Sequence, residues 1–185
     1  MILYINACIR NESRTDRIAR SLLEKLGEYE EVKLSDIGLK PLDEETLQRR
    51  SKFVSANDYS DSLFDYAKQF ASADKIVIAA PHWDLSFPAL LKIYIENIYV
   101  TGIVSRYDEN GKPLGLCKAD KLYYVTTSGG PLIEEFGYGY IHNLMTKYMG
   151  VKDTTLVKAE MLDVDGFDSE AIVLDTISSI SNMQL

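Results

Sequence analysis

Cysteine and histidine are scarce in this chain, with two of each among its 185 residues. Cys8 and Cys117 form no CxxC pair, so a disulfide framework is excluded. With His82 and His142 as the only histidines, no zinc site or other metal site is expected. No Ser/His/Asp or Cys/His arrangement stands out either, so no side chain is expected to act as a catalytic nucleophile. Positive charge is in deficit: 20 Lys and Arg against 28 Asp and Glu leave a net charge of -8. That balance argues against nucleic acid or an anionic membrane as the main partner. No apolar run approaches the roughly 20 residues of a membrane span, and the chain enters a strand-like run without a basic leader, so the cytoplasm is the expected compartment. Also missing are a GxGxxG dinucleotide fingerprint and a GxxxxGK[ST] nucleotide loop.

What is there alternates. "ILYINAC" reads as a first strand, and Ile18, Leu22, Leu23 and Leu26 then recur at helical spacing as far as Gly27, a C-terminal cap. "EEVKLSD" mixes Val32 and Leu34 with charges, as a strand at a sheet edge would. Residues 43–56 and 59–72 are expected to be helical. "DKIVIAAP" is an apolar third strand, and Pro88 opens the helix that carries Leu90, Leu91, Tyr94, Ile95 and Ile98. "KLYYVTTSGG" is a fourth strand, 138–149 a helix, "DTTLVKAEML" a fifth strand and 167–182 a closing helix; 106–115 reads as an exposed loop. With no repeat and no linker, residues 1–185 are expected to form one domain.

Strands alternating with helices predict an α/β fold with a five-stranded parallel sheet, doubly wound, with helices on both faces. The first, third and fourth strands are apolar throughout, as buried central strands are, whereas the second and fifth carry charge. This pattern predicts strand order 2-1-3-4-5, the flavodoxin-like order.

In such a sheet ligands bind beyond the carboxyl ends of the strands, where the winding reverses. Three loops meet there. "CIRNESRT" places Arg10, Ser13, Arg14 and Thr15 at a helix N-terminus, whose free N–H groups and dipole favour a phosphate. An N-cap role for Ser13 or Thr15 with solvated arginines accounts for the same residues. "APHWDLSFP" sets His82, Trp83 and Phe87 in a loop fixed by Pro81 and Pro88, suited to a flat heterocycle; a packed or dimer-buried Trp83 is the plainer alternative. "TTSGGP" offers glycines that let backbone approach a ligand, or simply a turn. Together the three loops point to a flat ring with a phosphate tail.

"RxxSxT" after the first strand, "PxWDxSFPAxLKxYIEN" after the third, "RYDENGKPxGL" and "TTSGG", all in register, resemble the FMN-dependent NADH:quinone oxidoreductases known as azoreductases, within the flavodoxin-like NAD(P)H:quinone oxidoreductase group. The resemblance spans essentially the whole chain and is most specific from Pro81 through Gly130. It implies an FMN whose phosphate lies on Arg10, Ser13, Arg14 and Thr15. Its ring would lie along Pro81, His82, Trp83, Asp84 and Leu85, closed by Thr127, Ser128, Gly129 and Gly130. It further implies NADH or NADPH as co-substrate, a quinone or azo acceptor, ping-pong turnover and a homodimer that completes the substrate pocket. His82, a possible proton donor, stands where Met is frequent in the family, Asp84 where Asn is frequent, and Thr-Ser-Gly-Gly where Ser-Arg-Gly-Gly is common. A flavodoxin-type electron carrier is the alternative that suits the acidic charge, though two arginines in the first loop argue against it. A phospho-receiver domain would need acidic residues at the ends of the first and third strands, where this chain has Asn6-Ala7-Cys8 and Ala80-Pro81.

Overall fold

Five of the apolar runs become parallel strands, and what matters for function is how their ends align. A computed structural model describes residues 1–183; residues 184 and 185 of the single expected domain lie outside the described residues. Strands β1 (Ile2–Asn6), β2 (Tyr29–Lys33) and β3 (Lys75–Ala79) come first, followed by β4 (Ser105–Tyr107), β5 (Pro113–Gly115), β6 (Lys121–Thr127) and β7 (Asp153–Ala159). The main sheet runs β2-β1-β3-β6-β7, which is the expected 2-1-3-4-5 order of its own strands. Asn6 pairs with Ala79, and Ala79 with Val125, so the chains leaving β1, β3 and β6 start side by side.

Side chains alternate between two layers, as strand geometry requires. Leu3, Ile5, Ile76, Ile78, Leu122 and Tyr124 face α3 (Asp65–Ser72), α4 (Ala89–Ile98) and α5 (Tyr138–Leu144). Tyr4, Val77, Ala79, Tyr123 and Val125 face α1 (Arg14–Leu26) and α6 (Ser169–Asn182). The surface helix α2 (Glu44–Ser55) buries no residue fully but lays Phe53 and Val54 against the first layer. Helix α1 buries Ile18, Ala19, Leu22 and Leu23 and ends as expected at Gly27, whose φ of 110° suits glycine and whose N–H donates to the Leu23 carbonyl at 2.9 Å. Among the described residues no helix is long and apolar enough to cross a membrane.

Three segments differ from expectation. Residues 106–115 are more than a loop: β4 and β5 pair antiparallel across a turn in which Asp108 Oδ1 accepts from the N–H groups of Asn110 and Lys112. The stretch expected as one helix from 59 starts as a 3-10 turn at Ser62–Phe64, because Asp58 and Asp61 capture the N–H groups of Ser60 and Leu63. The helix expected over 138–149 becomes a π turn at Met145–Met149, closed by Gly150 at φ 86°.

Candidate functional site

Asn6, the last residue of β1, organises the first loop from below. Its side chain is 2% exposed, and its Oδ1 accepts the Cys8 N–H at 2.9 Å. Its Nδ2 donates to Asp16 Oδ1 at 3.1 Å and to Glu31 Oε1 at 2.9 Å, and Arg20 bridges the same two carboxylates at 3.0 Å each. The loop above therefore enters α1 at a fixed place. Ser13 is the N-cap, accepting from the Asp16 N–H at 3.3 Å. Thr15 is buried, and its hydroxyl lies 2.7 Å from that of Thr127 at the end of β6, so the first and third loops are joined by side chains.

The second loop is tied to the third by backbone. The Ala80 N–H donates to Val125 O at 3.0 Å and the His82 N–H to Thr127 O at 2.9 Å. Trp83 and Ser86 then exchange two backbone hydrogen bonds of 3.0 and 2.8 Å around Asp84 at φ 49° and Leu85 at φ 67°. Two successive left-handed residues between such a pair make a type I′ turn. This turn more commonly holds Asn-Gly, so a branched Leu85 stores strain at the site. The third loop is laced to the segment after β7: Ser128 N–H to Ala159 O at 3.0 Å, Leu162 N–H to Ser128 O at 3.1 Å, and Asp163 N–H to Gly129 O at 2.9 Å. A Cβ on Gly129 would lie 2.6 Å from Asp163 Oδ2, so that carboxylate rests directly on the glycine.

These loops enclose a cavity of about 570 Å3. From the first loop it is lined by Arg10, Ser13, Arg14 and Thr15, from the second by Pro81, His82 and Trp83, and from the third by Thr127, Ser128 and Gly129. The sequence had singled out all of these. Asp84, Leu85 and Gly130 lie outside the wall: the turn carries the first two to its exposed tip, and the Gly130 carbonyl accepts from Ser128 Oγ at 2.7 Å. Ile9, Glu12, Leu162 and Asp163 complete the wall without having been foreseen. Leu162 and Asp163 follow β7, and the rule that ligands sit beyond strand ends could have flagged them; an acidic loop such as "DVDG" otherwise reads as solvated surface.

The electrostatics of the wall are more even than two arginines suggest. Arg14 Nη1 lies 3.2 Å from Asp163 Oδ1 and 3.4 Å from Leu162 O, and its Nη2 lies 3.2 Å from Ser169 Oγ. Arg10 makes no ion pair among the described residues, and with Glu12 and Asp163 also in the wall, two positive charges face two negative ones. Burial pushes the Cys8 thiol up to about 11, so Cys8 is protonated at neutral pH and is no nucleophile. Burial also lowers the His82 pKa below its usual value, and its Nε2 is buried without a hydrogen-bond partner among the described residues. Trp83 is 39% exposed, which places it at the mouth rather than in the core. His142, by contrast, is satisfied structurally, with Nδ1 2.7 Å from Thr154 Oγ1.

Residues 1–181 match a protein family described as a flavodoxin-like fold. FMN-dependent NADH:quinone oxidoreductase 2 of Clostridium acetobutylicum is 39% identical over 194 residues, covering 95% of this chain and 94% of that protein. The chain belongs to this flavodoxin-like family of FMN-dependent NADH:quinone oxidoreductases. A further family member, the FMN-dependent NADH:quinone oxidoreductase of Coprothermobacter proteolyticus, is 33% identical over 98% of this chain and 96% of its own length. The family fold recurs in a solved azoreductase from Bacillus anthracis, with a TM-score of 0.82 at 20% identity over 98% of this chain and 96% of that one. An FMN-dependent NADH-azoreductase from the same species, solved in complex with FMN, superimposes with a TM-score of 0.81 at 21% identity, covering 98% of this chain and 95% of that one. At such identities the likeness is one of fold.

Proposed function

We propose that this cavity holds FMN and that the protein uses NADH or NADPH to reduce quinones or azo compounds. One observation carries the reading: a helix N-terminus with its hydroxyls, and an arginine that makes no ion pair among the described residues, share a single cavity with His82, Trp83, Ser128 and Gly129. The residues suit the group. About 570 Å3 is within the range of small-molecule sites. The α1 N-terminus with Ser13, Thr15 and Arg10 suits a phosphate, and the unpartnered His82 Nε2 suits a polar ring edge.

Bound FMN would supply the two-electron transfer between nicotinamide and acceptor, and the protein supplies position and electrostatics. Arg10 and the first turn of α1 hold the phosphate. Pro81 and the Thr127–Gly129 backbone set the depth of the ring, and the Thr15–Thr127 hydroxyl pair keeps those two loops at a constant separation. Trp83 offers a flat apolar surface at the mouth on which nicotinamide or quinone stacks. His82 is neutral at pH 7, and its buried Nε2 would meet the ring edge of the bound group. One mouth serves donor and acceptor in turn, so turnover is ping-pong. Exposed Ile9, Trp83, Leu85, Ile133 and Phe136 rise on loops at this end of the sheet. We take them as the face on which a second copy completes the acceptor pocket. Two free thiols suit a reducing cytoplasm.

The deciding experiment is the absorption spectrum of the purified protein, with FMN identified after denaturation, followed by NADH oxidation with benzoquinone. Flavin binding with quinone-dependent NADH oxidation supports the reading. Flavin binding without oxidation by any quinone or azo acceptor returns it to an electron carrier, which the net charge of -8 would suit.

A further inference from the structure

We infer that Asp163 competes with the cofactor phosphate for Arg14, and so keeps FMN exchangeable rather than locked in. The inference rests on the FMN reading above. Both side chains line the cavity, and the carboxylate already engages Arg14 Nη1 at 3.2 Å. The backbone that carries Asp163 is fixed, its N–H donating to Gly129 O at 2.9 Å, and Oδ2 lies beside Gly129, so the carboxylate has a defined place next to Arg14. The Arg14 guanidinium is also bound to Leu162 O and Ser169 Oγ, both on the segment that carries Asp163. An arriving phosphate thus meets one arginine with no ion pair among the described residues, Arg10, and one already paired with Asp163. Arg14 is a positioning residue for the 162–169 segment first and a phosphate ligand second.

This makes a prediction opposite to that for a supporting carboxylate. The pair is exposed, with side chains 44% and 75% accessible, so the effect is modest. Replacing Asp163 by Asn should tighten FMN binding about two- to five-fold. It should leave riboflavin, which lacks the phosphate, unchanged, and unchanged riboflavin affinity also shows that the fold is intact. The gain should shrink at roughly 0.5 M salt. Titration of apoprotein by flavin fluorescence quenching reads all of this without turnover. Asp165→Asn changes net charge equally but lies outside the cavity wall, and should leave FMN affinity as it is. In an Arg14→Ala background, Asp163→Asn should do nothing further, because the effect acts through Arg14.

Weaker or unaltered FMN binding in Asp163→Asn overturns the inference while wild-type FMN binding stands. So does an equal gain in Asp165→Asn, or a gain that persists without Arg14. Wild-type protein that binds neither flavin removes the FMN reading and this inference with it.

Discussion

Arg10 and Arg14 sit one helical turn apart in the sequence, yet they do different work. Arg14 is committed to the segment after β7, whereas Arg10 faces the cavity without an ion pair among the described residues. Arg10→Ala should therefore cost FMN about 1 to 2 kcal/mol, a charge-assisted contact reduced for exposure, and should spare riboflavin. Parallel titrations of apoprotein with the two flavins check this, and equal losses would contradict a phosphate contact. His82 supplies a test of a different kind. Its pKa is lowered in the fold by burial, so below the unfolded value of about 6.5 the unfolded chain takes up a proton that the folded protein resists. Stability is thereby lost as pH falls, with nothing lost above that range. His82→Gln should remove this loss: its Tm should hold up better than wild type from about pH 6.5 downward and run parallel above it. Identical pH profiles would mean that the buried Nε2 finds water. The sequence pointed to both residues by position, at a strand-to-helix junction and in a proline-bounded loop. It could not separate Arg10 from Arg14, because the partner that distinguishes them, Asp163, is 149 residues away.

At the scale of elements, what was legible was what is local. Charge on β2 and β7 against the unbroken apolar runs of β1, β3 and β6 sufficed for the strand order, because burial on both faces leaves no place for a charge. Gly27 and Pro88 marked helix ends through their own backbone constraints. The hairpin over β4 and β5 was read as a loop although its turn is local, because its two strands are only three residues each; what the sequence could not show is where it packs. Gly115 lies against the backbone of Gly150, so closely that a Cβ would fall 2.0 Å from Gly150 N and 2.2 Å from its Cα. Two backbones in contact have no side chain that can yield. Gly115→Ala should therefore destabilise the protein by about 3 kcal/mol or more, in the overpacking range, lowering Tm by roughly 6 to 12 °C for a chain of this length. At Gly111, in the turn of the same hairpin, a Cβ would meet nothing within 4 Å, so Gly111→Asn should cost far less despite a φ of 75°. Similar losses for the two would mean that the hairpin does not press on Gly150.

For the whole molecule, the parallel alignment of β1, β3 and β6 brings three loops, and the segment after β7, to one end of the sheet around one cavity. The sequence holds no GxGxxG fingerprint that would bind a dinucleotide apart from it. Under the proposed single-site reading, NADH approaches through the same mouth as the acceptor, past Trp83, and leaves before the acceptor enters. Double-reciprocal plots of rate against NADH at several fixed quinone concentrations should be parallel, and high quinone should inhibit by occupying the oxidised form. The acidic surface adds a further signature. With a net charge of -8 the protein repels the anionic dinucleotide over a Debye length of about 10 Å at 0.1 M salt. Moderate salt should therefore raise kcat/KM for NADH and leave that for a neutral quinone almost unchanged. Steady-state kinetics across ionic strength measures both. Intersecting lines, together with a complex containing an unreactive NADH analogue and quinone at once, would require a second binding place and overturn the single-site reading.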